Sequence, residues 1–330
     1  MSGVRPVGVY GLGAFAPPRV VTNDELSKRV DTSDEWIRQR TGIRERRLAD
    51  PGVATSDLAA EAGRAALVSA GVRPEEVDLI LLATCTPDRV FPTAACYAQQ
   101  KIGCVNAGAL DLNAACTGFL YGFNLAYGAV ASGLHRNVLV IGAETLSTIV
   151  DFTDRATCIL FGDGAGAMLL RPSDGDGREI LFTRVGAEGG RDDAMMVPAG
   201  GSRMPITREV LDQKLNYMTM NGREIFKFAV TKIVELTLEA LAKTGLKPEQ
   251  ISLVVPHQVN IRILEAACER IPIPIDRFYT NLDRYGNTSA ASVPLALEEA
   301  VRNGRLKRGD HLLMVAFGAG LTWASAVVRW

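Results

Sequence analysis

An internal repeat is the feature of this 330-residue chain that most constrains its fold. Three strand-like segments recur at nearly one spacing, and in each copy a buried strand, a second strand, a small-residue turn, a helix and another buried strand follow in the same order. The matched positions are Gly13 and Gly186 (186 − 13 = 173), Val77 and Ile251 (251 − 77 = 174), and Val138 and His311 (311 − 138 = 173). The repeat predicts a duplicated α/β unit, with one half over residues 1–170 and the other over residues 171–330.

Composition narrows the class of protein. A hydrophobic share of 47%, 32 glycines and 22% charged residues are typical of a compact α/β protein. Lysine and arginine (36) nearly balance aspartate and glutamate (37), so the overall charge gives no indication of nucleic-acid or membrane-surface binding. Glycines interrupt the apolar run near the start, which argues against a signal peptide or a membrane span, and we expect a cytoplasmic protein. The six cysteines form no C-x-x-C pair and have no neighbouring histidine, so no metal site is expected.

Cys116 stands at a predicted strand-to-helix turn. The strand-like run 108–112 stops at small residues, and Phe119, Phe123 and Val130 then recur at helical spacing. The free N–H groups and the positive dipole at a helix start favour a thiolate, the nucleophilic form of cysteine. Cysteine is also a common small core residue, and the local sequence leaves both interpretations open.

The repeat brings two further polar residues towards Cys116. Adding 173 to its number gives Ser289, in a second small-residue turn, and if the two turns approach each other, Asn287 lies near the thiol. His257 ends the buried run 251–256, and ligands of α/β sheets gather beyond the carboxyl ends of strands. Of the other two histidines, His135 in a helix-end loop is expected to be a solvated surface residue, and His311 at a strand start is expected to be structural. Cys116, His257 and Asn287 therefore form a candidate catalytic triad.

A papain-like protease is one alternative for such a triad, because its histidine also follows the cysteine by roughly 130–150 residues. Here the interval is 257 − 116 = 141. However, no C-G-S-C-W-like segment surrounds Cys116, and a protease of that kind would leave the repeat unexplained. We therefore favour an acyl-transfer enzyme; a cysteine hydrolase and a non-catalytic dimeric scaffold stay open.

Several segments resemble one family over essentially the whole chain. Residues 114–119 (AACTGF), 255–260 (VPHQVN) and 285–291 (YGNTSAA) are similar to the three catalytic segments of the β-ketoacyl-acyl-carrier-protein synthases III, in the thiolase superfamily. Residues 31–37, 40–46 and 161–167 add to the likeness. The resemblance implies a duplicated thiolase fold with two mixed five-stranded sheets in an αβαβα arrangement, and a homodimer.

The resemblance also implies a reaction. Cys116 would attack an acyl-CoA, and malonyl-acyl-carrier protein would then lose carbon dioxide to give an enolate that His257 and Asn287 stabilise by hydrogen bonds. The backbone N–H groups of Cys116 and Ala319 would form an oxyanion hole. No cofactor is implied beyond the coenzyme A thioester, which is a substrate. The alternative within the fold is a secondary-metabolism acyltransferase or condensing enzyme with a different acceptor.

The resemblance assigns binding residues as well. Phe91 would limit the acyl pocket, in part across the dimer interface, and favour a short primer such as acetyl. For coenzyme A these residues are Trp36 and Arg155 around the adenine, Arg40 and Thr41 at the nucleotide end, and Asn260 on the pantetheine arm. For carrier-protein docking they are Gln258 and Arg262, with Arg223, Lys227 and Lys232 as weaker candidates. The aperiodic stretch 189–220 is expected to be a long surface excursion.

Overall fold

The computed structural model describes residues 5–330, which form thirteen strands and ten α-helices. The strands are β1 (Val7–Phe15), β2 (Val20–Thr22), β3 (Glu45–Arg47), β4 (Leu79–Ala83), β5 (Gly108–Leu112), β6 (Val138–Glu144), β7 (Gly164–Pro172), β8 (Glu179–Ala187), β9 (Met195–Met196), β10 (Thr219–Met220), β11 (Ile251–Pro256), β12 (His311–Gly318) and β13 (Thr322–Arg329). The helices are α1 (Asn23–Ser27), α2 (Asp34–Thr41), α3 (Thr55–Ala70), α4 (Ala94–Ile102), α5 (Gly118–Ala131), α6 (Arg208–Asp212), α7 (Gly222–Thr244), α8 (Ile261–Cys268), α9 (Leu282–Tyr285) and α10 (Ser292–Arg302).

The first large sheet has five strands in the order β1-β7-β6-β4-β5. β4 pairs in parallel with β5 and β6, whereas β7 pairs antiparallel with β6 and β1. Every residue of β6 is buried, as expected of a strand covered on both faces. The mixed five-stranded sheet expected for the first half is confirmed.

The second large sheet repeats this order, β11-β12-β13-β8, but has four strands. The expectation of five was wrong here. The counterpart of β5 is reduced to one parallel bridge between Val254 and Phe278, with Tyr279 N donating to Val254 O at 2.9 Å. Two prolines, Pro272 and Pro274, and then the 3-10 turn Ile275–Arg277 lie directly before this bridge, so no longer ladder forms.

The elements stack in five αβαβα layers. α5 and α10 lie between the two sheets, where Phe119 and Phe123 of α5 and Val293 and Leu297 of α10 join one buried core with strands of both sheets. α3 and α4 cover the outer face of the first sheet, and α7 and α8 cover that of the second. This layering places the first turns of α5 and α10 side by side at the centre of the molecule.

The two central turns have the same backbone geometry. Ala115 and Ser289 both adopt a positive φ, 46° and 49°. In each turn the side-chain oxygen of an asparagine accepts the backbone N–H of this residue, which lies two positions later. Asn113 Oδ1 accepts from Ala115 N at 3.1 Å, and Asn287 Oδ1 accepts from Ser289 N at 2.8 Å. These positions, like the starts of α5 and α10, are 289 − 115 = 174 residues apart. The structural counterpart of Cys116 is therefore Ala290, one residue beyond the position that the sequence spacing gave.

Glycine lets the two halves meet closely. A Cβ added at Gly142, in β6, would lie 2.3 Å from Ala290 O in the facing turn. Such a contact is far below van der Waals distance, so the seam between the halves tolerates no side chain here.

Residues 189–220 include short elements rather than a bare loop. β9 and β10 pair antiparallel, with Met195 opposite Met220, and α6 lies between them in sequence. Among the described residues no helix is both long enough and apolar enough to span a bilayer.

Candidate active site

Cys116 lies where the sequence predicted it, between a strand and a helix. It sits in the 3-10 turn Ala115–Thr117, and α5 starts at Gly118. Thr117 ties this turn to the second half, because its Oγ1 donates to Thr322 Oγ1 at 2.7 Å. The thiol is nearly buried, with 6% of the residue exposed.

His257 directly follows β11, and its backbone N–H continues the hydrogen-bond ladder with β12 by donating to Val315 O at 2.8 Å. Its Nδ1 lies 2.6 Å from Ser292 Oγ, which also accepts the N–H of Gln258 at 3.5 Å. A Ser292 hydroxyl that donates to Nδ1 leaves the ring proton on Nε2, and this is the tautomer that we assign. Burial lowers the pKa of His257 to about 3, so the imidazole is neutral at physiological pH.

Asn287 is held by its backbone on both sides. Its N donates to Leu160 O at 2.8 Å, and its O accepts from Gly162 N at 3.0 Å. Because Oδ1 is already occupied by Ser289 N, the side chain keeps its two amide protons for another acceptor. The second turn therefore presents a hydrogen-bond donor.

One cavity brings these three side chains together. Its other lining residues are mainly apolar: Leu160, Phe161, Met195, Met220, Ile225, Val259, Phe317, Gly318 and Ala319. In such surroundings hydrogen bonds from His257 and Asn287 are stronger than in water. The arrangement can hold a thioester beside a sulfur nucleophile and stabilise negative charge on an oxygen.

The resting state of Cys116 differs from the sequence expectation of a thiolate. Burial raises the pKa of the thiol to about 12; Ser289 lowers this pKa and the negative charge of Glu144 raises it further. The loss of solvation therefore opposes the ionisation that the helix start favours. The proton of the thiol must leave when the sulfur attacks.

The end of β12 packs against the Cys116 turn. A Cβ at Gly318 would lie 2.9 Å from Cys116 N, so this close approach requires glycine. Ala319 follows Gly318 and lines the same cavity. Both backbone positions assigned to an oxyanion hole therefore lie at the cavity wall, and their role stays a prediction.

The residues assigned to coenzyme A lie at two depths. Trp36 is half-buried, with the exposed guanidinium groups of Arg40 and Arg155 at 5.5 and 5.4 Å from its ring centroid. Arg155 already covers the indole, so an adenine between them requires this arginine to move. Thr41 is 3% exposed, and its hydroxyl is used within the chain, donating to Ile37 O at 2.7 Å. Asn260 caps α8 and donates to Arg40 O at 2.9 Å, which joins α8 to the end of α2.

The docking assignment needs one correction. Gln258 is 1% exposed, and its amide bonds Pro256 O, Tyr279 O and Asn281 N, so it cannot touch a partner protein. The resemblance assigned Gln258 to docking, but this side chain turns inward and holds backbone that is distant in sequence, which no local pattern reveals. Arg262 is exposed.

The weaker docking candidates also differ from one another. Arg223 and Lys227 are exposed on α7. Lys232 instead lies 4.2 Å above the Trp323 ring and pairs with Glu235 at 2.7 Å. Its charge is therefore less available to a partner than the charges of the other two.

Phe91 does not line the cavity of its own chain. It is 81% exposed, beside Val90 at 92%. A role in limiting the acyl pocket therefore needs a second copy of the chain and stays a prediction.

Sequence reasoning missed three parts of the site. Ser292 was visible in the second turn, but only the fold shows that it meets His257. Met195 and Met220 reach the cavity from the surface excursion 189–220; the sequence indicated that such a loop is often functional but did not connect it with Cys116. Glu144, at the end of β6, is fully buried near Cys116. The described residues contain no cluster of metal-ligating side chains.

Fold and site together define a thiolase-like protein of the condensing-enzyme class. Residues 110–189 match the family model for 3-oxoacyl-[acyl-carrier-protein] synthase III, and residues 241–330 match the model for the C-terminal part of that enzyme. The chain belongs to the β-ketoacyl-[acyl-carrier-protein] synthase III family.

Individual relatives cover nearly the whole chain. The β-ketoacyl-[acyl-carrier-protein] synthase III of Caldanaerobacter subterraneus is 52% identical over 324 residues, 98% of this chain and 97% of the relative. That of Roseiflexus sp. is 54% identical over 320 residues, 97% of each chain. The crystal structure of the Aquifex aeolicus 3-oxoacyl-[acyl-carrier-protein] synthase III superimposes with a TM-score of 0.91 at 45% identity, covering 98% of this chain and all of that one.

Proposed function

We propose that this protein condenses an acyl-CoA primer with malonyl-acyl-carrier protein to give a β-ketoacyl-acyl-carrier protein, the step that initiates fatty-acid synthesis. The observation that carries the proposal is the apolar cavity in which a thiol, a neutral imidazole and an amide group meet. Family membership supports the substrate classes.

The first half-reaction is acyl transfer to Cys116. The sulfur attacks the thioester carbonyl, and the coenzyme A thiolate leaves and takes up a proton. Donors at the carbonyl oxygen, the backbone N–H groups of Cys116 and Ala319, stabilise the tetrahedral oxyanion.

The second half-reaction is decarboxylation and condensation. Loss of carbon dioxide from the malonyl group leaves negative charge on the thioester oxygen, and the Nε2–H of His257 and the amide N–H of Asn287 stabilise it. The enolate carbon then attacks the acyl group on Cys116, and the cysteine thiolate leaves. A neutral histidine suits this step, because it has a proton to donate and adds no charge to the cavity.

Several finer features belong to the same proposal. The apolar cavity near Cys116 suits a short primer such as acetyl, and no cofactor takes part beyond the coenzyme A thioester. Trp36, Arg40, Arg155 and Asn260 bind coenzyme A, and exposed Arg262 meets the carrier protein. The six free thiols suit a reducing, cytoplasmic location.

A homodimer is also proposed, with β5 as the contact. β5 is an edge strand of the first sheet, Leu110 on it is 41% exposed, and Val90 and Phe91 are more exposed still. An apolar edge of this kind is protected when a second copy pairs with it. Light scattering on the purified protein tests this, and a monomer at micromolar concentration would contradict it.

Intact-mass spectrometry with a panel of acyl-CoA thioesters tests the main proposal. Wild type should gain the mass of one acyl group, and Cys116→Ala should not; a stable gain that survives in this variant refutes the nucleophile assignment. His257→Ala and Asn287→Ala should still be acylated but lose decarboxylation. The preferred chain length identifies the primer.

The molecule that accepts the acyl group from Cys116 distinguishes fatty-acid initiation from the secondary-metabolism alternative. A structure titled as the priming β-ketosynthase of the R1128 polyketide pathway superimposes on this chain with a TM-score of 0.91 at 35% identity. Assays of the acyl-enzyme against malonyl-acyl-carrier protein, amines and hydroxyl compounds separate the two functions. Transfer to an amine or hydroxyl without a β-ketoacyl product would favour the alternative.

A further inference from the structure

The hydrogen-bond ladder at the edge of the second sheet is interrupted directly before His257. Tyr279 N donates to Val254 O at 2.9 Å, which is one rung of a parallel ladder. In such a ladder the carbonyl of the donating residue accepts the next N–H, which lies two positions further along the facing strand. That position is Pro256, and proline has no N–H to donate. The regular ladder therefore ends one residue before a side chain of the proposed site.

The side chain of Gln258 replaces the missing rungs. Its Nε2 donates to Pro256 O at 2.7 Å and to Tyr279 O at 3.2 Å, and its Oε1 accepts from Asn281 N at 3.0 Å. In a continuous ladder Asn281 N would donate to Pro256 O directly. If the amide nitrogen and oxygen were exchanged, the oxygen would face two carbonyl groups, so these contacts fix the orientation of the amide.

One side of this bridge holds the peptide bond that leads into His257. Both polar atoms of that peptide bond are used, because the His257 N–H donates to Val315 O at 2.8 Å and the Pro256 carbonyl accepts from Gln258. The backbone that carries the imidazole is therefore held by β12 on one side and by Gln258 on the other. A shift of the Gln258 amide would move the histidine with it.

The other side of the bridge holds the segment that leads to Asn287. Asn281 is the N-cap residue of α9, the helix has four residues, and Gly286 follows it. Asn287 is thus six residues beyond the N–H that Gln258 binds (287 − 281 = 6). One side-chain amide therefore joins the backbone of His257 to the segment that ends at Asn287.

We propose that Gln258 is a positioning residue for decarboxylation, because its amide fixes His257 relative to Asn287 so that both N–H groups meet one thioester oxygen. Two donors stabilise a developing negative charge only when both are already aimed at it. The Gln258 side chain is 1% exposed, and its hydrogen-bonding atoms are used within the chain, so it acts through His257 and not on the substrate.

A purely structural role is the alternative, since an amide that satisfies three buried backbone groups also stabilises the fold. The two roles differ in what a variant loses. A structural residue affects both half-reactions through the amount of folded protein. A positioning residue affects decarboxylation, which needs both donors, and spares acyl transfer to Cys116.

Gln258→Met tests the proposal, because methionine fills a similar space but has no donor and only a weak acceptor. Asn137→Leu is the matched control. Asn137 is also a buried amide, 7% exposed, and its Nδ2 donates to Glu76 O at 2.8 Å. It precedes β6, at the end of that strand opposite to the proposed site. Carbon dioxide release from malonyl-acyl-carrier protein and the mass of acyl-Cys116 measure the two half-reactions.

Decarboxylation should be slower in Gln258→Met by about 10²-fold, the loss expected when a catalytic group is displaced by about 1 Å. Acyl transfer should stay at the wild-type rate, and the control should keep both rates. The proposal is overturned if decarboxylation is unchanged in Gln258→Met, or if both half-reactions decline by one factor.

Gln258→Ala decides the question if Gln258→Met does not fold. The shortened side chain leaves a space lined by two carbonyl oxygens and one N–H, which are enough partners for a water molecule. Water satisfies these groups without fixing the distance between them. The same difference between the half-reactions is expected, and its absence refutes the positioning role.

Nitrogen NMR spectra of the histidine rings test the bridge without any substrate. The chain has three histidines, and comparison with His257→Gln identifies the signals of His257. These signals should shift or broaden in the Gln258 variants and stay unchanged in Asn137→Leu; unchanged signals in the Gln258 variants refute the inference. The inference rests on the proposed function in naming the thioester oxygen. If wild type does not decarboxylate malonyl-acyl-carrier protein although the signals change, the proposed function fails and the positioning role stands.

Discussion

Ser292→Ala should impair decarboxylation while leaving acyl transfer intact. In the structure Ser292 Oγ lies 2.6 Å from His257 Nδ1; in the assigned tautomer it donates to Nδ1 and keeps the ring proton on Nε2, where a thioester oxygen would meet it. Without this hydroxyl the ring is no longer held in one tautomer, and a fraction of the enzyme presents a lone pair to the developing negative charge.

The expected size of the effect follows from the bond that is lost. A neutral hydrogen bond contributes about 1 kcal/mol net, which corresponds to about a fivefold loss of the decarboxylation rate. Removing the donor altogether, as in His257→Ala, should cost about 10²-fold or more. Ser292→Ala should therefore fall between wild type and His257→Ala.

The assay separates the two half-reactions. Release of carbon dioxide from malonyl-acyl-carrier protein measures the first quantity, and mass spectrometry of acyl-Cys116 measures the second. Ser325→Ala is the matched control, since Ser325, like Ser292, is a buried serine but its hydroxyl has no partner among the described residues. The reasoning is refuted if decarboxylation is unchanged in Ser292→Ala, or if both half-reactions decline by one factor.

Three further predictions concern stability. Gly142→Ala should lower the free energy of unfolding by about 2 kcal/mol or more, since its Cβ would meet Ala290 O at 2.3 Å. The control Gly128→Ala, in open space on α5, should raise this free energy by up to about 1 kcal/mol. Equal effects of the two variants in urea titrations would contradict the packing argument. Burial holds the pKa of His257 in the folded state near 3, below its usual 6.5, so the unfolded chain binds more protons between these pH values. This histidine should therefore make the free energy of unfolding about 2 kcal/mol smaller at pH 5 than at pH 8. An equal loss in His257→Gln would show that another group is responsible. Arg46 is fully buried and donates three hydrogen bonds to oxygen atoms. Arg46→Met should therefore lower the free energy of unfolding, measured in urea, by about 3 kcal/mol. A change below about 1 kcal/mol would show that those oxygens find other partners.

The sequence predicted those parts of the site that depend on local order. Cys116 follows a strand and precedes a helix, and His257 follows a buried strand, so secondary structure alone places both. Asn287 was placed by the repeat, which carries three-dimensional information because duplicated units keep their topology.

Contacts between distant segments could not be predicted in the same way. Whether Ser292 meets His257 depends on how α10 packs beneath β11, and whether Gln258 turns inward depends on the backbone at Tyr279 and Asn281. No periodicity encodes either contact. The missing strand of the second sheet is a similar case, since the prolines that shorten it do not exclude a strand until its neighbours are known. The charge state of Cys116 was expected from the helix start alone, but solvation depends on every residue around the thiol.

The boundary between halves at residues 170 and 171 stays a prediction. The last strand of the first sheet, β7, ends at Pro172, and the first strand of the second sheet, β8, begins at Glu179. The polar segment between these strands is where limited proteolysis should cut if the halves behave as separate units.

The seam at which the two central turns meet has a consequence for how activity is lost. The thiol comes from the first half, the imidazole and the amide come from the second, and Gly142 lies against Ala290 between them. Neither half contains all three side chains of the proposed site. Activity therefore depends on the relative position of the two halves as well as on the folding of each one. A displacement of about one ångström between the two halves would abolish activity while both sheets remained folded, and circular dichroism would not detect it.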